Sequence, residues 1–395
     1  MIKKENRKFG TSEVIFLVLL TCIISFIVGL LINFNIEQQS PSNDEMLDEF
    51  IKNYNYILDK YYGEIGEEEL LKGALEGMLN VLEDDYSTLI DSETSNNFNI
   101  NLEGSYEGLG IEITNDSSNN IIIYRVIDDS PAFTAGLKSG DIVKSIDNKN
   151  LTDKDKSELS NYVKNSNQKE FDLEIIRDNQ IMHFKVERKY ITLKSTSSKI
   201  IEKNNKKIGY IYISIFSNKT DEQFKTELEK LEKQNIDSLI IDVRDNAGGH
   251  LSTVSNILSM FMDSSHIIYQ TEVKNDKTKF YSSGKINKEY PIVILQNENS
   301  ASASELLSIS LKENMNAVVI GKTSYGKGTV QELVNLTSGD EYKFTTKKWL
   351  SPKGNWIHEK GITPDIDIEL NEQYYNEPID ENDNQLQTAI EHLTK

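Results

Sequence analysis

One cysteine stands in the 395 residues, which excludes an intrachain disulfide and any cysteine-based metal site. Positive charge is also short: 43 Lys and Arg face 63 Asp and Glu, a formal net charge of −20. That balance argues against nucleic acid, whose phosphates are bound by clustered Lys and Arg. No internal repeat is visible. The five histidines, His183, His250, His266, His358 and His392, include no zinc-binding pair, and His358-Glu359-Lys360-Gly361 is not H-E-x-x-H. What is present is enough apolar material for packed cores, 37% of residues with 18 Tyr and 14 Phe. The length allows two or three domains.

Charge is missing altogether from one stretch. Val14 to Ile32 reads VIFLVLLTCIISFIVGLLI, nineteen residues that just span a hydrocarbon core of about 30 Å. Lys3, Lys4, Arg7 and Lys8 precede it, and Glu37, Asp44, Glu45, Asp48 and Glu49 follow it. The positive-inside rule then expects a cytoplasmic tail over 1–13, a transmembrane helix over 14–33, and everything later outside the cell membrane, single-pass. A cleaved signal peptide is the rival, but the run is long for one and Asn33-Phe34-Asn35 lacks a small-residue cleavage pattern. Cys22 lies inside this run, so the outer part carries no thiol, which suits an oxidising space.

Beyond the anchor, 34–102 reads as a helical N-terminal region. Met46, Leu47, Phe50, Ile51, Tyr54, Ile57, Leu58, Tyr61 and Tyr62 recur at helical spacing over 46–63, and Leu70, Leu71, Ala74, Leu75, Met78, Leu79 and Leu82 mark a second helix. Such faces pack on themselves or on a partner chain, so a homodimer stays open. Asp91–Leu102 (DSETSNNFNINL) reads as a polar break.

Short strands with one or two helices are expected next: Ile121–Val126, a helix from Ser130-Pro131-Ala132 ended by Gly136, Lys154–Lys164 as helix, and a hairpin of Phe171–Ile176 with Met182–Val186. The loop Gly108-Leu109-Gly110-Ile111 could aim backbone N–H groups at a carboxylate beside a strand edge that accepts an extended peptide, although such a loop alone is more often a turn. Tyr106-Glu107-Gly108-Leu109-Gly110-Ile111, with Ser130-Pro131-Ala132, Ala135-Gly136-Leu137 and Gly140-Asp141-Ile142-Val143, resembles a PDZ domain of the bacterial protease type. The resemblance implies a PDZ domain over 103–188 whose Gly108, Leu109, Gly110 and Ile111 bind the C-terminal end of a peptide.

From Ile208 the pattern alternates strand and helix: Ile208–Ile213, Thr220–Gln234, Ser238–Val243, a helix through Met262, Pro291–Leu295, a helix to about Asn314, and Ala317–Ile320. Repeated units of this kind imply a largely parallel sheet with ligands where strands end and helices begin. Ser300-Ala301-Ser302-Ala303-Ser304-Glu305 satisfies the capping box S-x-x-E through Ser302 and Glu305. As a nucleophile Ser302 would need a base. A lysine serves where burial brings its pKa from about 10.4 towards neutrality, and Lys327 in Tyr325-Gly326-Lys327-Gly328-Thr329-Val330-Gln331 is the candidate, its glycines allowing close backbone approach. Gly321, Gly326 and Lys327 fit a phosphate loop, but Gly328 stands where that motif demands Ser or Thr.

NENSASASELL, then GKTSYGKGTVQEL, with RDNAGG upstream and Trp349-Leu350-Ser351-Pro352-Lys353-Gly354 downstream, closely resembles the C-terminal processing peptidases, tail-specific serine proteases with a PDZ domain. The resemblance runs from about residue 46 to 370. It implies Ser302 as nucleophile, Lys327 as general base, Gln331 as the group that orients the amine, and the backbone N–H groups of Gly248 and Ala303, at helix N-termini, as oxyanion donors. Glu313, eleven residues past Ser302 on the same helix face, is expected as a structural support. Asp84-Asp85-Tyr86-Ser87 lacks the family's usual proline and Ala247 replaces another; both departures are expected to leave the chemistry untouched. The expected fold class is therefore α/β: a membrane anchor, a helical lead-in, a mostly β PDZ domain, an α/β Ser-Lys protease core over 189–370, and an acidic C-terminal tail over 371–395 ending in a docking helix. The expected function is a membrane-anchored serine endopeptidase that takes protein tails through its PDZ domain, with no metal or other cofactor and no nucleic acid. A PDZ adaptor that binds tails and cuts nothing is the alternative. Whether the PDZ domain delivers substrate or inhibits until a tail arrives is open at this point.

Overall fold

The computed structural model describes residues 43–152, 154–336 and 339–395. The expected cytoplasmic tail and membrane segment lie outside the described residues, and among the described residues no helix is long and apolar enough to cross a membrane. The chain divides into two compact units, one ending at Met78 and one beginning at Leu79. The first carries helix α1 (Asn43–Lys60) and most of α2 (Glu67–Asn80), the two helices expected there. The Tyr54 hydroxyl donates to the Glu67 carbonyl at 3.2 Å, tying the end of α1 to the start of α2.

The second unit opens with strand β1 (Thr88–Ile90) and helix α3 (Ser92–Glu103). The polar break expected at 91–102 is thus a helix. Its ends explain it: the Asp91 carboxylate accepts from the Thr94 N–H at 2.9 Å, and Gly104 closes the helix at φ 67°. A polar sequence with two good caps and a docked face needs no wide apolar stripe.

The PDZ region follows as β2 (Ser105–Gly108), β3 (Ile111–Asn115), β4 (Ile121–Val126), α4 (Pro131–Ala135), β5 (Ile142–Ile146), β6 (Lys149–Asn150), α5 (Lys156–Asn165), β7 (Glu170–Arg177), β8 (Gln180–Glu187) and β9 (Lys189–Thr192). The antiparallel order β3-β4-β5-β7-β8 leaves β3 at an edge, while β2 pairs with β9. Alternate residues of β7, Phe171, Leu173 and Ile175, are fully buried against Ile121 and Ile123, the period-2 pattern of a sheet with one face on a core.

The remaining elements are β10 (Thr196–Lys203), β11 (Lys206–Ile213), α6 (Thr220–Glu232), β12 (Ser238–Asp242), α7 (Leu251–Leu258), β13 (Ile267–Val273), β14 (Asp276–Tyr281), β15 (Ile292–Gln296), α8 (Ala303–Met315), β16 (Val318–Gly321), β17 (Thr329–Asn335), β18 (Glu341–Leu350), β19 (Ile366–Asp367), α9 (Glu372–Asn376) and α10 (Asn384–Thr394). Six strands form one sheet, β10-β11-β12-β15-β16-β19, parallel except for β10. Every residue of β12 and β15 is buried, as central strands covered on both faces require. Helices α6, α7 and α8 supply the apolar cover on one side. On the other, Leu386, Ala389, Ile390 and Leu393 of α10 pack on Ile208, Ile240, Val293, Leu295 and Ile320, so the C-terminal segment is the docked helix that its apolar pattern suggests.

Strand–helix alternation alone leads to a single parallel sheet, and the region departs from it. Strands β13, β14, β17 and β18, joined by β1, make a second, antiparallel sheet. β14 and β18 are rich in Lys and Thr, and β14 is exposed along its whole length, so these two lack the apolar runs by which the parallel strands stand out. Helix α7 also stops at Leu258 rather than Met262, because Met260 and Phe261 turn back onto the carbonyls of Ile257 and Leu258.

Candidate active site

Ser302 sits at the mouth of the parallel sheet, in the turn between β15 and α8, where it is the N-cap of α8 with φ 54° and ψ −111°. A non-glycine residue in that region is strained and persists only when its surroundings over-determine it. The surroundings here are a lattice of hydrogen bonds. Ser300 Oγ donates to the Val243 carbonyl at 2.8 Å. The Ala301 N–H and the Ser304 hydroxyl donate to the Asn246 carbonyl at 3.0 and 2.8 Å. The Tyr325 N–H donates to the Ser300 carbonyl at 3.0 Å. A strand-to-helix turn stitched in this way fixes the serine at the start of the helix, where its side chain and that of Glu305 form the expected capping box.

Glu305 joins the two halves of the site. Its side chain is fully buried. Oε2 accepts from the backbone N–H of Ser302 at 2.8 Å and from that of Lys327 at 2.9 Å. Oε1 accepts from the Ser324 hydroxyl and the Gly326 N–H, both at 2.6 Å. Burial pushes the carboxyl above its usual range, while the four donors pull it back down. In sequence Glu305 is only the partner in a capping box; its grip on the Lys327 loop depends on a contact 22 residues away that no local pattern encodes.

Lys327 is half-buried, and burial draws its pKa below the ordinary lysine value; the charge of Lys343 adds to this, while Asp84 and Glu305 oppose it. The loop approaches so closely that a Cβ on Gly326, at φ 91°, would lie 2.9–3.1 Å from the backbone nitrogens of Glu359, Lys360 and Gly361. Trp349 Nε1 anchors the loop by donating to the Lys327 carbonyl at 2.8 Å. The amine itself lies over the ring of Tyr86, 5.0 Å from its centroid. The departure from the family's pattern at 84–87 therefore does border the expected chemistry, contrary to expectation. Among the described residues the amine has no hydrogen bond to Ser302 or Gln331. Gln331, on β17, spends its Nε2 on the hydroxyls of Thr329 at 2.9 Å and Thr345 at 3.1 Å.

The expected oxyanion donors flank Ser302 in space. A Cβ on Gly248, at φ 107°, would sit 2.9 Å from Ser302 Cβ and 3.1 Å from the Ala303 nitrogen. Ala303 opens α8, as expected. Gly248 does not begin a helix: it lies three residues before α7, and its N–H donates to Asn246 Oδ1 at 2.9 Å. Asn246 is fully buried and also donates Nδ2 to the Ile213 carbonyl at 2.8 Å; its part in shaping this loop is not visible in sequence. Glu313 holds the turn after Trp349, accepting from Ser351 Oγ at 2.9 Å, the Lys353 N–H at 2.7 Å and Asn355 Nδ2 at 3.2 Å.

Three further residues, Arg244, Asp242 and Asp383, brace the Gly248 loop. Arg244 donates to Asp242 Oδ2 at 2.6 Å and to Asp383 Oδ2 at 2.7 Å, all three side chains being buried. Asp383 is also the N-cap of α10, so the last helix is bonded to the loop that carries Gly248. In the PDZ region Gly108 ends β2, the Leu109 carbonyl accepts from the Ala132 N–H at 2.9 Å, and the Gly110 carbonyl accepts from the Ile127 N–H at 2.9 Å. Ile111 then begins the edge strand β3, beside α5; the Lys156 N–H of α5 donates to Asn115 Oδ1 at 2.9 Å. An edge strand beside a helix is the geometry that accepts an added peptide strand.

The chain is similar to known proteins over most of its length. Residues 207–368 match the model of peptidase family S41, 108–187 that of the PDZ domain, and 32–94 that of the N-terminal domain of the activating protease CtpB. The carboxy-terminal processing protease CtpB of Bacillus subtilis is 36% identical over 345 residues, 87% of this chain and 72% of that protein. The carboxy-terminal processing protease CtpA of the same organism is 31% identical over 364 residues, 91% and 77%. The crystal structure of a putative S41 protease from Bacteroides fragilis superposes with a TM-score of 0.50 at 16% identity, over 81% of this chain and 90% of that one, a likeness of fold. A buried Glu binding serine turn to lysine loop, in an α/β core beside a PDZ sheet, thus comes with close relatives over nearly its whole length, and the chain belongs to peptidase family S41 as a serine-type endopeptidase.

Proposed function

We propose that the chain cleaves proteins near their C-terminal ends by a Ser-Lys mechanism. The observation that carries the reading is the single carboxylate oxygen of Glu305 that accepts from the backbone of both Ser302 and Lys327. Neutral Lys327 takes the Ser302 hydroxyl proton as Oγ attacks the scissile carbonyl. The oxyanion that forms is held by the N–H groups of Ala303 and Gly248, the latter turning from Asn246 Oδ1. Collapse expels the amine of the leaving segment, which receives the proton from Lys327, and leaves an acyl-enzyme. Water, deprotonated by the same lysine, attacks the acyl carbonyl and frees Ser302. Gln331 orients the amine once it leaves Thr345. No step calls on a metal or another cofactor.

The free edge of β3, with the Gly108–Ile111 loop at its start, is proposed to take the tail of the substrate as an added strand, and Glu313 to act only through the turn it holds. The apolar run 14–32 is proposed to anchor the chain in the cell membrane, N-terminus inside and catalytic part outside; its lack of charge supports this. The lead-in helices are proposed as the contact of a homodimer, since Met46, Leu47, Phe50 and Ile51 of α1 are exposed. A PDZ adaptor without activity has no use for a strained serine beside a half-buried lysine. Ser302→Ala and Lys327→Ala should each abolish cleavage of an unfolded, tail-bearing protein with the fold intact. Near-normal cleavage by either variant would sink the mechanism. Deleting 1–33 should move the protein from the alkali-resistant membrane fraction to the soluble one.

A further inference from the structure

Tyr86 belongs to none of the expected roles, yet the Lys327 amine lies over its ring. The segment that presents the ring is braced at both ends. Ser87 Oγ donates to the Asp84 carboxylate and accepts from the Thr345 N–H at 3.1 Å, and β1 pairs with β18 from Thr88 to Ile90. Thr345 is the residue whose hydroxyl holds Gln331. The strap thus meets the lysine directly, and reaches the glutamine expected to orient it only through Thr345. Burial, with Tyr325 nearby, raises the pKa of the Tyr86 hydroxyl, and the His358 ring lies 6.0 Å away, tilted by 59°. An aromatic face attracts an ammonium and not a neutral amine.

We propose that Tyr86 is a positioning residue, a resting berth that holds Lys327 as the ammonium, away from Ser302, until bound substrate draws the amine across. The proposal rests on Lys327 being the base. Burial and Lys343 favour the neutral amine, whereas Asp84, Glu305 and the Tyr86 ring favour the ammonium; His358 and Tyr325 face the ring rather than the amine. Of these groups Tyr86 alone acts only on the charged form through its π face, so it can be weakened without altering net charge. A berth also lowers the fraction of molecules with the base in place, and releasing it raises apparent affinity for substrate by the same factor.

Tyr86→Leu keeps an apolar filler over the amine and removes the π face. The full chain is compared with Tyr86→Phe and with trifluorophenylalanine at position 86, which keeps the ring's shape, so the test survives if Tyr86→Leu does not fold. The pH dependence of kcat/KM is read with a tail-bearing protein, and the Lys327 protonation constant by acetic anhydride labelling and mass spectrometry in the Ser302→Ala background. Losing about 1 kcal/mol of cation–π attraction corresponds to a downward shift of about 0.7 pH unit. Tyr86→Leu and the trifluoro ring should shift both the labelling curve and the acid limb of kcat/KM downward by that order, with Tyr86→Phe near wild type. A labelling curve that stays in place or moves up overturns the berth. A labelling curve that moves down while the kcat/KM profile stays fixed upholds the berth and removes Lys327 as the base.

Discussion

Replacing Asp383 tests whether the last helix is bolted to the loop that carries Gly248. The Arg244 guanidinium is shared between two carboxylates: Asp242, at 2.6–3.1 Å, and Asp383, at 2.7 and 3.1 Å, with Gln385 Oε1 at 3.0 Å and the Tyr210 hydroxyl closing the Asp242 side at 2.7 Å. Buried between them, the guanidinium is held charged well above its usual range, chiefly by Asp242 against the cost of burial. Asp383→Ala removes one bidentate charged contact, about 1.5–3 kcal/mol, and the N-cap that accepts from the Leu386 N–H at 2.9 Å, about 1 kcal/mol. Arg244 remains neutralised by Asp242, so the expected loss is about 2.5–4 kcal/mol. Asp383→Asn keeps the cap and should lose about 1 kcal/mol less. Arg244→Met strands two carboxylates in a buried site and should cost the most, about 5 kcal/mol or more. Urea unfolding followed by tryptophan fluorescence reads this region, because the chain's two tryptophans, Trp349 and Trp356, both lie in the protease core. The reasoning fails if Asp383→Ala costs more than Arg244→Met, or if both stay within about 0.5 kcal/mol of wild type.

Glu305→Gln presents one acceptor and one NH2 to a site with four donors, so at least one donor pair loses its acceptor at about 1–3 kcal/mol per group; single-turnover kinetics should show cleavage slowed by about 10²-fold or more, with binding of a tail peptide to the PDZ strand edge unchanged. Lys327→Met removes an ammonium that burial disfavours. The lowered pKa means that the unfolded chain binds more protons, so the lysine's cost is largest below its folded pKa and fades as pH rises towards the unfolded value; the variant should melt above wild type by calorimetry at neutral pH, more so than at pH 10, while losing all cleavage. For the same reason kcat/KM of the wild type should climb with pH along one acid limb that ends below the ordinary lysine pKa. Gly326→Ala, whose Cβ at φ 91° would lie 2.9–3.1 Å from the backbone nitrogens of residues 359–361, should push the Lys327 loop away, lower kcat by about 10²-fold and lower the melting temperature as well, which steady-state assays and circular dichroism read.

Much of this protein is legible one segment at a time. The apolar β12 and β15 announce central strands because burial on both faces leaves no room for alternation, and α4 announces itself by Ser130, Pro131 and Gly136, whose backbone preferences are local. Ser302 and Lys327 stand out by motif. Elements whose stability comes from caps and neighbours are hidden: α3 is polar and held by Asp91 and Gly104, and β14 and β18 are rich in Lys and Thr, β14 exposed throughout.

Family and residue types at the site were therefore set by the order of the amino acids alone, since nucleophile, base and glycines must be particular chemical groups. Which partner each group meets was decided only in three dimensions. Glu305 reaches across 22 residues to the lysine loop, Asp383 across 139 to Arg244, and Tyr86 across 241 to the amine. Hydrogen bonds and π contacts act over a few ångströms, and only the packing of two sheets brings such distant segments that close. The single cysteine, the scarce positive charge and the uncharged run at 14–32 bounded what the protein could be; the folded core decided how its parts are held ready.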